Sequence, residues 1–292
     1  MSVRLASIAF LLMIAQSVYG ATISLQADAI KARVQQIRAG TTVSVAGQTI
    51  SSAVVLPALY ERRNYLPVWS NPRSTLQLIE ALEQIDSDGL VRDDYHLPVI
   101  LTLQTNNPDP DPAAAAGLDI LKTDALIRLG YHLLAGKVDA EALDVHWNMT
   151  TTLGDLETIL SMSQAIESGR IAQLVEQLRP DHAYYATLRQ GLARYRTIRD
   201  QGGWPNVPPG PILKPGMTDV RVPVISERLS VTGELAAADP APDSYDDRLT
   251  AAVKLFQQRH GLTADGVIGP ATLGAMNIPV QARIDQIKVN LE

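Results

Sequence analysis

Cysteine is absent from the 292 residues. Its absence excludes disulfides, thiolate zinc sites and a cysteine nucleophile within them. Aromatic side chains are scarce, at 5% with only 2 Phe, so Leu, Ile, Val and Ala must fill any core. Positive charge is short as well: 25 Lys and Arg face 31 Asp and Glu, for a net charge of −6. That balance argues against nucleic acid as a partner, since such binding needs a basic face to displace phosphate counterions. No apolar run reaches the ~20 residues needed to cross a bilayer, so no stable membrane span is expected. What the chain does have is 46% hydrophobic and 19% charged residues, enough to bury the cores of about two domains.

Residues 1–20 read as a secretory signal peptide. Arg4 supplies the positive start, Leu5 to Ala15 the apolar stretch, and Val18 and Gly20 the compact residues before a cleavage point at Ala21. The apolar stretch is too short for an anchor, and no cysteine follows it to carry a lipid. The mature protein is expected to be exported and soluble.

Residues 21–204 read as mostly helical. Ile30, Val34 and Ile37 mark a first amphipathic helix ending at Gly40. The alternating, β-branched run from Thr42 to Ile50 predicts a short strand pair around Gly47. Helices are expected from Val55 to Arg62 and from Pro72 onward, the second with a stripe of Leu76, Ile79, Leu82 and Ile85 stopped by Asp86-Ser-Asp-Gly89. A proline-rich loop over residues 106–112 precedes the strongest helix, with Leu118, Leu121, Ala125, Leu129 and Leu133 at helical spacing and Gly136 as the stop. Two shorter helices broken near Gly169 fill residues 153–178, and another runs from Tyr185 to Arg199.

Residues 205–215 are rich in Pro and Gly and read as a linker. Three short helices are expected after it. The first starts at Pro223 with Val224, Ile225 and Leu229 inward and ends at Gly233. The second follows Ser244 and Asp247, spaced as a capping box, and carries Leu249, Ala252, Val253 and Phe256. The third runs from Pro270 to Met276 after a tight turn at Asp265-Gly-Val-Ile-Gly269.

The stretch Ala252-Val-Lys-Leu-Phe-Gln-Gln-Arg-His-Gly-Leu262, then Asp265-Gly-Val-Ile-Gly-Pro-Ala-Thr-Leu273, resembles the peptidoglycan-binding domain of bacterial wall enzymes over residues 216–279. The resemblance implies a three-helix unit that docks on murein, through stem peptide or glycan. Phe256 reads as core, and Gly261, Gly266 and Gly269 as backbone devices. Gln258, Arg259 and His260, at the exposed end of a helix, are candidate contacts. Asp265 and Thr272 are candidates too, with local hydrogen bonding around the turn as the other reading.

The helical region resembles the scaffold of the large periplasmic L,D-transpeptidases. Leu59-Tyr-Glu-Arg-Arg-Asn-Tyr-Leu-Pro-Val-Trp69, Asp88-Gly-Leu-Val-Arg-Asp-Asp-Tyr-His96, Leu121-Lys-Thr-Asp-Ala-Leu126, Leu178-Arg-Pro-Asp-His182 and Gly202-Gly-Trp-Pro205 carry the likeness. Members of that family use a cysteine nucleophile in a following catalytic domain to form 3-3 murein cross-links. No His-x-x-Gly or Ser-x-Gly-Cys segment occurs here, so no catalytic residue is assigned and no enzymatic activity is expected of these residues. Residues 280–292, with Ile284, Ile287 and Leu291 on one stripe, look like the start of the helix leading into such a domain. Ending there suggests a truncated product or a fragment.

The expectation is thus a mainly α protein of the periplasm: a helical scaffold and a small three-helix wall-binding domain, with peptidoglycan as partner. The alternative is a self-sufficient interaction protein that recruits a partner of unknown identity to the wall. The histidines His96, His132, His146, His182 and His260 lack metal-ligand spacing, and no cofactor motif is present, so neither metal nor cofactor is assigned. Glu80, Glu83, Asp93 and Asp94 offer carboxylates for glycoside hydrolysis, but without a distinguishing pattern. A serine triad lacks the nucleophile-elbow motif.

Overall fold

The computed structural model describes residues 2–106, 111–137, 156–236 and 244–291, with side chains from Gly20 onward. The fold is mainly α, as the helical periodicities require. It divides into two compact units, Met1–Tyr185 with Leu291–Glu292, and Ala186–Asn290. The boundary thus falls earlier than the composition change at residue 204.

In the first unit, α1 (Ser2–Arg38) is one continuous helix through Gly20. Its later turns bury Ile30, Val34 and Ile37. The expected strand pair is β1 (Ser44–Val45) and β2 (Gln48–Thr49), antiparallel with Val45 opposite Gln48. Then follow α2 (Val55–Arg62), α3 (Pro72–Gln84), two 3₁₀ turns at Ile85–Asp88 and Arg92–Tyr95, and α4 (Leu97–Asn106). After these come α5 (Pro112–Ala135), α6 (Leu156–Ser168) and α7 (Ile171–Leu178). Gly169, with φ +66°, makes the break between the last two. Most of the proline-rich loop, His146 and Leu153 lie outside the described residues.

The stripe expected on α3 is corrected by the structure. Leu76 is exposed, and Leu78 takes its place beside Leu82 and Ile85. The reason is the helix entry: Asn71 caps α3 by accepting the Arg73 N–H, and this register turns Ser74, Thr75 and Leu78 inward.

α5 is the axis of this unit, packed by α1, α2, α3, α4 and α7. Asp111 caps it by accepting from the Ala113 and Ala114 N–H groups, and Pro112 sits in the first turn. Leu121, Ala125, Leu129 and Leu133 are buried as expected, each leucine worth about 1.5–3 kcal/mol on burial. Leu118 is only half-buried. Because neighbours surround the helix, Asp119, Lys122, Thr123 and Asp124 are buried as well. Asp119 accepts from Tyr60 OH at 2.6 Å and from the Val68 and Trp69 N–H groups at 3.1 and 3.2 Å. Burial works against the Asp124 charge, yet hydrogen bonds from His96 and Ser52 bring its carboxyl below the usual range. Asp88 is likewise sealed, held by Arg179 at 3.0 Å and by Tyr185 OH at 2.9 Å.

The second unit begins within α8 (Ala183–Asp200) and holds α9 (Val222–Thr232), α10 (Asp247–Arg259), α11 (Pro270–Met276) and, up to Asn290, α12 (Val280–Leu291). Its core is Ile225, Leu229, Leu249, Val253, Phe256 and Met276, with smaller neighbours. Residues 205–215 have no regular structure, as their composition requires, but they are anchored. Val207 and Leu213 are fully buried, Leu213 bridges to Ile268, and Val207 exchanges two hydrogen bonds with the Asn277 side chain. The capping-box expectation is corrected: Asp246, not Ser244, caps α10 by accepting the Leu249 N–H at 2.8 Å. Ser244 is instead paired with Thr218 in an isolated bridge.

Candidate functional site

The turn after α10 is built around one residue that sequence reasoning passed over, Gln257. Its side chain is 1% exposed. Its Nε2 donates to Asp265 Oδ1, the Val267 carbonyl and Thr272 Oγ1 at 2.9, 3.0 and 3.2 Å, and its Oε1 accepts the Gly266 N–H at 2.9 Å. Gly266 has φ +76°, and a Cβ there would meet Thr250 Cγ2 at 3.1 Å, so the turn needs glycine twice over. Asp265 also accepts the Val267 N–H, and these two donors hold its carboxyl below the usual range. Thr272 is buried and donates to the Val267 carbonyl. Asp265, through Oδ1, and Thr272 thus help to hold the turn, while Asp265 stays exposed.

The other candidates lie at the C-terminal end of α10. Gln258 is exposed. Arg259 pairs with Glu234 at 2.6 Å while keeping 47% of its side chain exposed. His260 stacks on Phe256, ring centres 3.9 Å apart, and its Nδ1 donates to the Phe256 carbonyl at 2.8 Å. In the neutral ring this leaves Nε2 as an acceptor. Burial lowers the His260 pKa against the pull of that hydrogen bond, with Arg283 and Arg228 adding to the lowering.

Arg259 and His260 line an open cleft of about 500 Å³, together with Tyr195 from α8, Ala275, Ile278, and Arg283, Gln286 and Ile287 from α12. None of these lining side chains is a carboxylate. Arg283 Nη1 donates to Gln286 Oε1 at 3.2 Å, and among the described residues it forms no ion pair. The arrangement offers two guanidinium groups, an imidazole, an amide and a phenol together with the apolar side chains of Ala275, Ile278 and Ile287. That is chemistry suited to an anionic, partly apolar ligand. Tyr195, Arg283 and Gln286 were invisible as site residues because they sit on helices outside the recognisable motif.

Beneath the cleft's neighbours, Arg228 is 1% exposed in the core. It lies 4.1 Å from the Trp204 ring centre and 5.5 Å from that of Phe256, and donates to the Met276 carbonyl and Thr232 Oγ1. Burial pushes its pKa down to about 10, opposed by Glu234.

The other chemistries weighed from sequence fare differently. His96 has both ring nitrogens engaged, Nε2 with Asp124 at 2.7 Å and Nδ1 with Gln48 at 3.2 Å, leaving none for a serine hydroxyl. Of the acidic residues considered for glycoside hydrolysis, Glu80, Glu83 and Asp93 are exposed and Asp94 pairs with Lys137. Among the described residues, no three His, Asp or Glu side chains gather as a metal ion would require. No helix among those residues is long and apolar enough to cross a membrane.

Residues 55–192 match the Scaffold domain family. Residues 221–276 match the peptidoglycan binding domain family. Over 67 residues the chain is 36% identical to the N-acetylmuramoyl-L-alanine amidase CwlL of Bacillus licheniformis. That alignment covers 23% of this chain and 19% of the amidase, so the chain spans about a fifth of that relative's length.

Proposed function

We propose that this chain is the murein-gripping part of an L,D-transpeptidase-like wall protein, exported to the periplasm by residues 1–20. The observation that carries the reading is the carboxylate-free cleft of Tyr195, Arg259, His260 and Arg283, at the edge of the segment matched by the peptidoglycan binding domain family. Murein stem peptides bear free carboxylates, and a guanidinium with no acidic partner is the group to receive one. Tyr195 offers a flat face for an apolar or sugar surface. Gln258 extends the contact along the exposed edge, while Asp265 and Thr272 act by keeping the turn in shape. The scaffold's likeness to the L,D-transpeptidases supports the family reading, whose cysteine chemistry has no counterpart among these residues.

Sedimentation with insoluble murein tests this. Arg283→Gln is expected to weaken retention roughly tenfold, the effect of losing one charge-assisted hydrogen-bonding group. Tyr195→Ala should weaken it further. Retention by both variants equal to that of the parent would overturn the reading.

A further inference from the structure

The first unit contains a second cavity, of about 460 Å³, lined in part by the Leu59–Trp69 and Leu121–Leu126 stretches. Its walls come from α1 (Ile23, Gln26), from the α2–α3 connection (Leu66, Trp69) and from α5 (Leu118, Lys122), with Arg63 and Asp119 as its other charged lining groups. Apolar side chains (Ile23, Leu66, Trp69 and Leu118 among them) alternate with polar ones in this lining, and Lys122 is its most deeply buried cation. Only 6% of that residue is exposed. Its ammonium donates to Thr75 Oγ1 at 3.2 Å and lies 5.2 Å from the Trp69 ring centre. An ammonium has three N–H donors, and among the described residues Lys122 forms no ion pair. Asp119, its neighbour on α5, has its oxygens taken by Tyr60, Val68 and Trp69. Arg63 is held by Ser163 and Glu167, with its Nε buried and unpartnered.

A buried cation with spare donors beside apolar walls is costly unless something compensates it. We propose that this cavity is a binding site for a small carboxylate with an apolar body, the carboxylate received by Lys122 and the body lying against Leu66, Leu118 and the Trp69 ring. Two sources share that chemistry, a peptide C-terminus and a free acyl carboxylate. The volume suits a ligand of dipeptide size. Burial holds the Lys122 ammonium down at about 8 against the pull of Asp119, which is the condition a bound anion would relieve.

The test is a titration of the full chain followed by the Trp69 indole N–H resonance, assigned with Trp69→Phe. The probes are N-acetyl-alanyl-alanine, its C-terminal amide, and octanoate. At least one carboxylate should shift the resonance saturably with a Kd of about 1 mM, as expected for so few atoms. Whichever acid shifts it identifies the source, and the amide should leave it unmoved. Lys122→Met, of similar volume, should weaken binding roughly tenfold or more. Ala115→Phe, which fills the cavity and spares the lysine, should block it even if the first variant folds poorly. No saturable shift from either acid, equal binding of the amide, or undiminished binding by both variants would overturn the proposal.

Discussion

The two units bury polar atoms in different ways. The first places ionisable groups in its interior, with Asp88, Asp119, Lys122 and Asp124 all sealed and tied by hydrogen bonds from distant segments. The second organises its key turn around a neutral amide, Gln257, and lays its most deeply buried cation, Arg228, against aromatic rings. Sealed carboxylates and amines titrate and amides do not. The first unit should therefore respond to pH through its interior, and the second through its shape.

The sharpest way to break that contrast is Asp119→Ala. It leaves Tyr60 OH and two backbone N–H groups without their Asp119 acceptor and removes a carboxylate that favours the Lys122 charge. A loss of about 3–5 kcal/mol is expected, read from denaturant midpoints. The next effect is set by pH. The Lys122 amine has a folded pKa of about 8 against its ordinary 10.5, so between those values the unfolded chain holds the extra proton. Stability must then rise as pH increases from about 8 to 10.5, by up to about 3 kcal/mol, and Lys122→Met should flatten the rise. His132, pushed down to about 4 by burial, adds a slope of the same sign on the acid side, stability being lost as pH falls from 6.5. Smallest is Gln257→Leu, which strands the Gly266 N–H and loosens the turn. It should cost about 2 kcal/mol with no pH dependence of its own, and thermal melts at pH 6 and pH 9 can check this with the expected shift the same at both.

What was legible in the sequence follows from how local each signal is. The helix breaks at Gly136, Gly169 and Gly233 and the apolar stripe of Leu249, Val253 and Phe256 depend on neighbours a few residues away, and they stand in the structure as expected. Asp119 and Lys122 defeat the same logic, because their burial is decided by distant segments, as in the 51-residue separation of Val68 from Asp119 and the 47-residue separation of Thr75 from Lys122. The α3 stripe failed only at its first member, Leu78 standing in for Leu76, since a cap sets where a helix face begins. At the candidate site, Arg259 and His260 could be picked out from their place at a helix end. Arg283 and Tyr195 could not, since no spacing rule connects residue 195 to residue 260.

Arg228 carries a practical corollary for anyone wishing to excise the wall-binding portion. The family match begins at residue 221, yet the ring against which this guanidinium rests belongs to Trp204, whose indole also donates to the Ile278 carbonyl. A fragment cut at the family boundary would discard that ring, strip Val207 from its Asn277 clasp, and leave a cation facing a vacated groove. The smallest piece able to stand alone must therefore reach back past Trp204 and forward past Ile278, so the autonomous fold is larger than its recognisable signature.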